Sequence, residues 1–178
     1  MSDRYYNNLF GVSFKLNKRR RKPTQDYAFP GYYFVTIVTA ERAPIFGTLR
    51  DGLVQLNSLG KALERIIKNL PQYHSNIRVD RFIVMPDHVH MILQILPFEV
   101  QVFKKRRFGW VPKGSLPYVI RNLKGDVTRW SRRHDGPYHV WQSNYHDVII
   151  TQRKQLYAFR KYIELNPKLS RTHGLLPD

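Results

Sequence analysis

Two apolar runs hinged on a proline–aspartate turn limit what this chain can fold into more than any other feature. Residues 77–85 read IRVDRFIVM and residues 88–96 read HVHMILQIL, with Pro86-Asp87 between them. Runs of this length, rich in β-branched and long aliphatic side chains and separated by a turn dipeptide, predict a β-hairpin over 77–96. Successive side chains on a strand point to opposite faces. In the second strand Val89, Met91, Leu93 and Ile95 form one uniformly apolar face, and His88, His90, Ile92, Gln94 and Leu96 form the other. Two imidazoles therefore stand side by side at the start of a strand whose opposite face is buried.

The rest of the chain supplies layers for this hairpin. Residues 32–39, YYFVTIVT, are the strongest single strand. Asp51-Gly52 marks a turn, and Asn57 or Ser58 can cap a helix over 58–70 with Leu59, Leu63, Ile66, Ile67 and Leu70 on one face. Leu116, Val119, Ile120, Leu123, Val127 and Trp130 recur at steps of three and four, the apolar stripe of a helix over 116–133. Gly125 weakens that helix without ending it. Arg121, Lys124 and Arg132 fall on its opposite side. Residues 139–150 read as a short strand or extended piece. A last helix runs over 151–166 and stops at Pro167. The order strand, helix, hairpin, helix, strand, helix predicts an α+β fold with helices on one face of the sheet.

At 178 residues the chain is sized for one domain, and 42% apolar with 13% aromatic residues is enough for a core. Its formal net charge of +17 draws it to polyanions, which leaves nucleic acid, an anionic membrane or an acidic protein as partners. Residues 1–30 read as a basic arm carrying Lys18, Arg19, Arg20, Arg21 and Lys22, and residues 31–178 as one domain. Within that domain 98–115 reads as a basic loop with Lys104, Lys105, Arg106, Arg107 and Trp110. There is no cysteine, which excludes disulfides, thiol nucleophiles and Cys-based zinc sites. The first 22 residues lack the apolar core of a signal peptide, and no window approaches 18 apolar residues. A cytoplasmic protein without a membrane span is the expectation. Basic residues interleaved with aromatic ones suit single-stranded nucleic acid. Trp110 is the best stacking candidate, while Trp130 and Trp141 read as core.

Two neutral imidazoles on one strand face suit a shared cation. A second polar pair lies on the last helix, where Tyr162 and Asn166 are one turn apart at the edge of the stripe formed by Leu156, Phe159 and Ile163. Each pair alone also has a plain structural explanation, as surface histidines and as a partly buried tyrosine. A different metalloenzyme recruiting His146, Asp147 or Asp87 stays open. An RNA-binding module is disfavoured because the sheet lacks an RNP1-like run.

Taken together the motifs resemble those of the single-tyrosine HUH nucleases, most closely the REP-associated tyrosine transposases related to small bacterial insertion-sequence transposases. The resemblance rests on YYFVTIVTAERAPIFG (32–47), IRVDRFIVMPDHVHMIL (77–93), VIRNLKGDVTRW (119–130), WQSNYHDVII (141–150) and YIELNP (162–167). It implies a ferredoxin-like or RRM-like antiparallel sheet against which the tyrosine helix packs. It also implies that Tyr162 is a nucleophile and that His88, His90 and Asn166 hold Mg2+ or Mn2+; some relatives have Gln at the last position. The implied activity is cleavage and rejoining of single-stranded DNA at repetitive extragenic palindrome hairpins through a 5′-phosphotyrosine, with a short 5′ guide sequence beside the hairpin. A monomer is favoured over a dimer. DNA contacts are expected from the two basic runs, Trp110, Arg121, Lys124 and Arg132. The alternative within the same ancestry is a palindrome-binding protein without chemistry.

Overall fold

A computed structural model describes residues 29–98 and 111–169, together with the backbone of two short strands, β1 (Tyr5–Leu9) and β2 (Val12–Lys15), which pair antiparallel. The stretch expected as an arm over 1–30 thus contains a small ladder. Lys18, Arg19, Arg20, Arg21, Lys22, Lys104, Lys105, Arg106, Arg107 and Trp110 lie outside the described residues.

The main sheet has four antiparallel strands in the order β6-β7-β3-β8, where β3 is Gly31–Val38, β6 Ile77–Val84, β7 His88–Ile95 and β8 His146–Ile150. Two longer helices, α1 (Ser58–Lys68) and α3 (Leu116–Arg133), connect these strands, a short α2 (Leu70–Tyr73) follows α1, and α4 (Arg153–Leu169) comes last. The series β3-α1-β6-β7-α3-β8, with its first strand between the third and the fourth, is the ferredoxin-like βαββαβ arrangement. The α+β fold with an antiparallel sheet is as expected, and α3 spans the predicted 116–133. Among the described residues no helix is long and apolar enough to cross a membrane.

The layering differs from the expectation in one respect. Tyr33, Val35 and Ile37 of β3 and Val89, Met91, Leu93 and Ile95 of β7 pack with α1 and α3. The alternate residues, Phe34, Ile92, Val148 and Ile150, pack with Ala158, Phe159, Tyr162 and Ile163 of α4. Helices α1 and α3 therefore share one face, and α4 covers the other, the histidine-bearing one. Periodicity reveals that a helix has an apolar stripe but not which side of a sheet it lands on.

Three local features differ from the sequence reading or sharpen it. Asn57 caps α1, its carboxamide oxygen accepting from the backbone N–H of Gly60 at 2.9 Å while its Nδ2 donates to the carbonyl of Ile45 at 2.8 Å. Asp51 and Gly52, at φ 52° and 73°, close a hairpin of β4 (Gly47–Arg50) and β5 (Leu53–Leu56). Two positive φ values in a row are the geometry a two-residue hairpin turn demands. Pro167 lies inside α4 and does not end it. Its fixed φ is already helical, and near the helix end it forfeits only one backbone bond.

Helix α4 is tied to strand β6 by ion pairs at a β-bulge between Val79 and Arg81. The extra residue, Asp80, receives the Arg160 guanidinium at 2.8 and 2.5 Å, and Arg81 reaches Glu164 at 3.4 Å. A bulge inserts one residue against the alternation of the strand, so neighbouring side chains can serve the same layer. Here two adjacent side chains hold successive turns of α4.

Candidate active site

The chemistry-bearing side chains meet where the start of β7 passes beneath α4. Strand alternation places His88 and His90 on the α4 face, with ring centroids 4.6 Å apart. Both are buried, His90 completely. Tyr162 comes from the buried stripe of α4 and is 9% exposed; its hydroxyl lies 3.4 Å from His90 Nε2. Asn166, one turn further along α4, is buried and hydrogen-bonded to the Tyr162 oxygen. Phe34 fills the space between, stacked on His90 at 5.3 Å and edge-on to Tyr162 at 6.0 Å. The four expected residues, His88, His90, Tyr162 and Asn166, are thus in one place, although the tyrosine and its histidine partner are 72 positions apart.

Two further residues orient the imidazoles. His88 Nδ1 lies 2.6 Å from Asp87 Oδ1. Burial pushes the Asp87 carboxyl up, but the hydrogen bond and charge of His88, with help from Arg42, bring it below the usual carboxylate range. An ionised carboxylate only accepts, so Nδ1 donates to it and Nε2 is the nitrogen left to face the site. That Nε2 is buried and has no hydrogen-bond partner among the described residues. His90 Nδ1 lies 2.8 Å from the Thr36 hydroxyl, directly across the β3–β7 ladder. Burial, reinforced by the charge of His88, holds His90 well below its ordinary pKa, so it is neutral. The turn that carries Asp87 is itself pinned, because Thr39 donates to the Asp87 carbonyl through both its backbone N–H and its hydroxyl, each at 2.9 Å.

This donor set fits a divalent ion. Neutral imidazoles are the metal-binding form, and a histidine whose other nitrogen bonds to a carboxylate is the usual supporting arrangement. Among the described residues no group of three or more His, Asp or Glu side chains forms a candidate metal site, so the amide of Asn166 would be the third donor. Burial raises the Tyr162 hydroxyl to about 12, and the hydrogen bond from Asn166 pulls the other way.

The residues expected to touch DNA are distributed differently. Arg121, Lys124 and Arg132 lie on α3, the layer across the sheet from the histidines. Arg121 and Arg132 sit over the rings of Tyr118 and Tyr138 at 5.5 and 5.4 Å. Lys124 has a structural use. Its ammonium donates to the carbonyls of Gln142, Ser143 and Asn144 at 2.5, 3.3 and 3.2 Å, holding the irregular approach to β8. Trp130 and Trp141 pack against the α1/α3 core, as expected.

Sequence reasoning missed Thr36 and Phe34 as parts of the site, and offered Asp87 only as a metal ligand of a different enzyme, not as the partner of His88. Asp87 had a signal, a carboxylate immediately before the histidine pair. Thr36 and Phe34 are assigned only by the pairing of Thr36 with His90 and of Phe34 with Ile92 across the ladder.

No protein-family model matches the chain. It is 30% identical over 153 residues to an uncharacterized protein of Haemophilus influenzae, covering 81% of this chain and 84% of that one. The solved structure of a REP-associated tyrosine transposase bound to a REP hairpin superposes with a TM-score of 0.54 at 18% identity, over 90% of this chain and 76% of that one. The fold is that of the family which the motifs resemble, and the chain belongs to one family with the Haemophilus protein.

Proposed function

We propose that this family member is a metal-dependent transposase that cleaves and rejoins single-stranded DNA at hairpin-forming palindromic repeats. The observation that carries the reading is the approach of the Tyr162 hydroxyl to His90 Nε2 at 3.4 Å, with Asn166 bonded to the same oxygen. Support comes from the fold shared with a transposase bound to a REP hairpin and from the +17 charge, which favours a polyanionic substrate. Tyr162, His88 and His90 meet within one chain, so one copy would suffice for the proposed step.

In the proposed step the Tyr162 oxygen attacks the phosphorus of a DNA phosphodiester. A bond forms between that oxygen and phosphorus, the bond from phosphorus to the 3′ oxygen breaks, the phenol loses its proton and the departing oxygen becomes a 3′-OH. The product is a 5′-phosphotyrosine, which retains a phosphodiester, so a later 3′-OH can displace the tyrosine and rejoin strands without ATP. His88, His90 and Asn166 would hold Mg2+ or Mn2+, of which Mn2+ suits a mixed nitrogen and oxygen set better. Such an ion supplies positive charge and polarisation at the phosphate when bound. Asp87 and Thr36 orient the imidazoles, and Phe34 and α4 exclude water around the phenol.

The experiment is covalent capture. The protein is incubated with Mn2+ and a labelled single-stranded hairpin from the repeats around its own gene, then denatured and resolved by electrophoresis. A labelled adduct is expected with the wild type and none with Tyr162→Phe, which removes one hydroxyl and should still bind the hairpin. An adduct with the variant would assign the nucleophile elsewhere.

A further inference from the structure

We propose that a recess on the flank of α4 binds an unpaired stretch of DNA, at a place separate from the histidine–tyrosine site. An open recess of about 760 Å³ lies between the start of β3 and the first half of α4, lined among others by Tyr32, Arg153, Lys154, Tyr157 and Arg160. Tyr157 is 66% exposed, a large ring held in water between cationic neighbours. Arg153 and Lys154 are exposed and form no ion pair with a described residue. Arg160 is held at the wall of the recess by its paired bonds to Asp80, so the cations open to a ligand are Arg153 and Lys154. Of these side chains only Tyr32 packs against the core; the buried core residues of this helix segment are Ala158 and Phe159, so Arg153, Lys154 and Tyr157 are not needed to bury it.

An exposed aromatic ring framed by unpaired cations matches the chemistry of a single nucleic-acid strand. Phosphates take the charges and a base stacks on the ring. A duplex keeps its bases stacked inside and offers no free base face, so the ring selects an unpaired strand. Tyr32, Phe34 and Thr36 alternate onto the same face of β3, so the recess opens on the face that carries the histidines. Thr36 stands four positions along the strand from Tyr32, about 13 Å, a distance that a few nucleotides span. The choice of DNA over RNA rests on the function proposed above; the recess chemistry does not.

Anisotropy titrations with fluorescein-labelled dT15, rU15 and a 15-base-pair blunt duplex across a salt series test the proposal. Tyr157→Ala is expected to weaken dT15 binding about 5- to 100-fold, with Tyr157→Phe within a factor of about two of wild type and duplex binding unchanged. Arg153→Ala with Lys154→Ala should shallow the log–log salt slope for dT15 by about 1.4. Unchanged dT15 binding and slope in these variants, an equal loss on the duplex, or tighter binding of rU15 than of dT15 would overturn the proposal. Adduct formation by the wild type separates the two readings. An adduct with insensitive recess variants defeats only the recess. Sensitive recess variants without an adduct defeat only the catalytic reading.

Discussion

The two faces of β7 are built from alternate residues of the same eight-residue strand, and they do opposite work. One face, Val89, Met91, Leu93 and Ile95, is entirely buried and entirely aliphatic or thioether, packed with α1 and α3. The other face is nearly as buried, yet it carries His88 and His90 beneath α4. Burial alone therefore does not separate core from site in this protein. What separates them is whether the buried atoms are satisfied. The aliphatic face has no polar atoms to satisfy. On the histidine face each imidazole is held by one designated partner, Asp87 or Thr36, and turns its remaining nitrogen toward Tyr162 or leaves it without a partner among the described residues.

That contrast can be broken at four points, beginning with the largest effect. Leu93→Ala removes side-chain volume from the aliphatic face and should cost about 2–5 kcal/mol, read as a lower urea midpoint at unchanged m-value, with adduct formation intact at low temperature. His90→Ala should cost about 3 kcal/mol, because it opens a cavity and strands the Thr36 hydroxyl in the interior. It should also abolish the response of adduct formation to Mn2+. A surface histidine would show no stability loss, so calorimetry distinguishes the two. Asp87→Asn keeps the shape of the turn but weakens the hold on His88, and a roughly 10- to 100-fold loss of Mn2+ affinity by isothermal titration is expected.

The smallest effect concerns Tyr162 and pH. Its hydroxyl is raised from 10.0 to about 12, chiefly by burial. The unfolded chain therefore releases this proton first as pH rises, and stability falls between the two values. Midway between them, near pH 11, the wild type should have lost about 1.4 kcal/mol more than Tyr162→Phe, about half of what the two-unit difference is worth in full. Equal pH profiles in urea titrations would show the phenol to be solvated.

Much of the sheet and the histidine–tyrosine constellation can be read from local patterns. The stripe from Leu116 to Trp130 and the alternation from His88 to Ile95 are periodic over enough residues to identify a helix and a strand. The four-residue strands around Asp51-Gly52 are too short for any period to declare itself. Pro167 reads as a stop because proline usually ends helices; its position near the end of α4 lets the last turn survive. The partners of the histidines are the hardest to see. Thr36 meets His90 only through the cross-strand register, and the bulge at Asp80 that seats Arg160 has no signature in hydrophobic pattern. The basic residues of α3 look like a DNA face on a helical wheel, yet Lys124 spends its donors on three carbonyls of a loop.

The 72-residue separation of Tyr162 from His90 has a consequence for synthesis of the protein. Ribosomes deliver the histidine strand well before the helix that bears the hydroxyl, and α4 is the last of the described elements to emerge. A nascent or truncated chain ending before residue 153 would display the imidazole pair without Tyr162. Under the proposed function, the capacity to cut DNA arrives only with the docking of α4, so a copy that ends before that helix lacks its nucleophile.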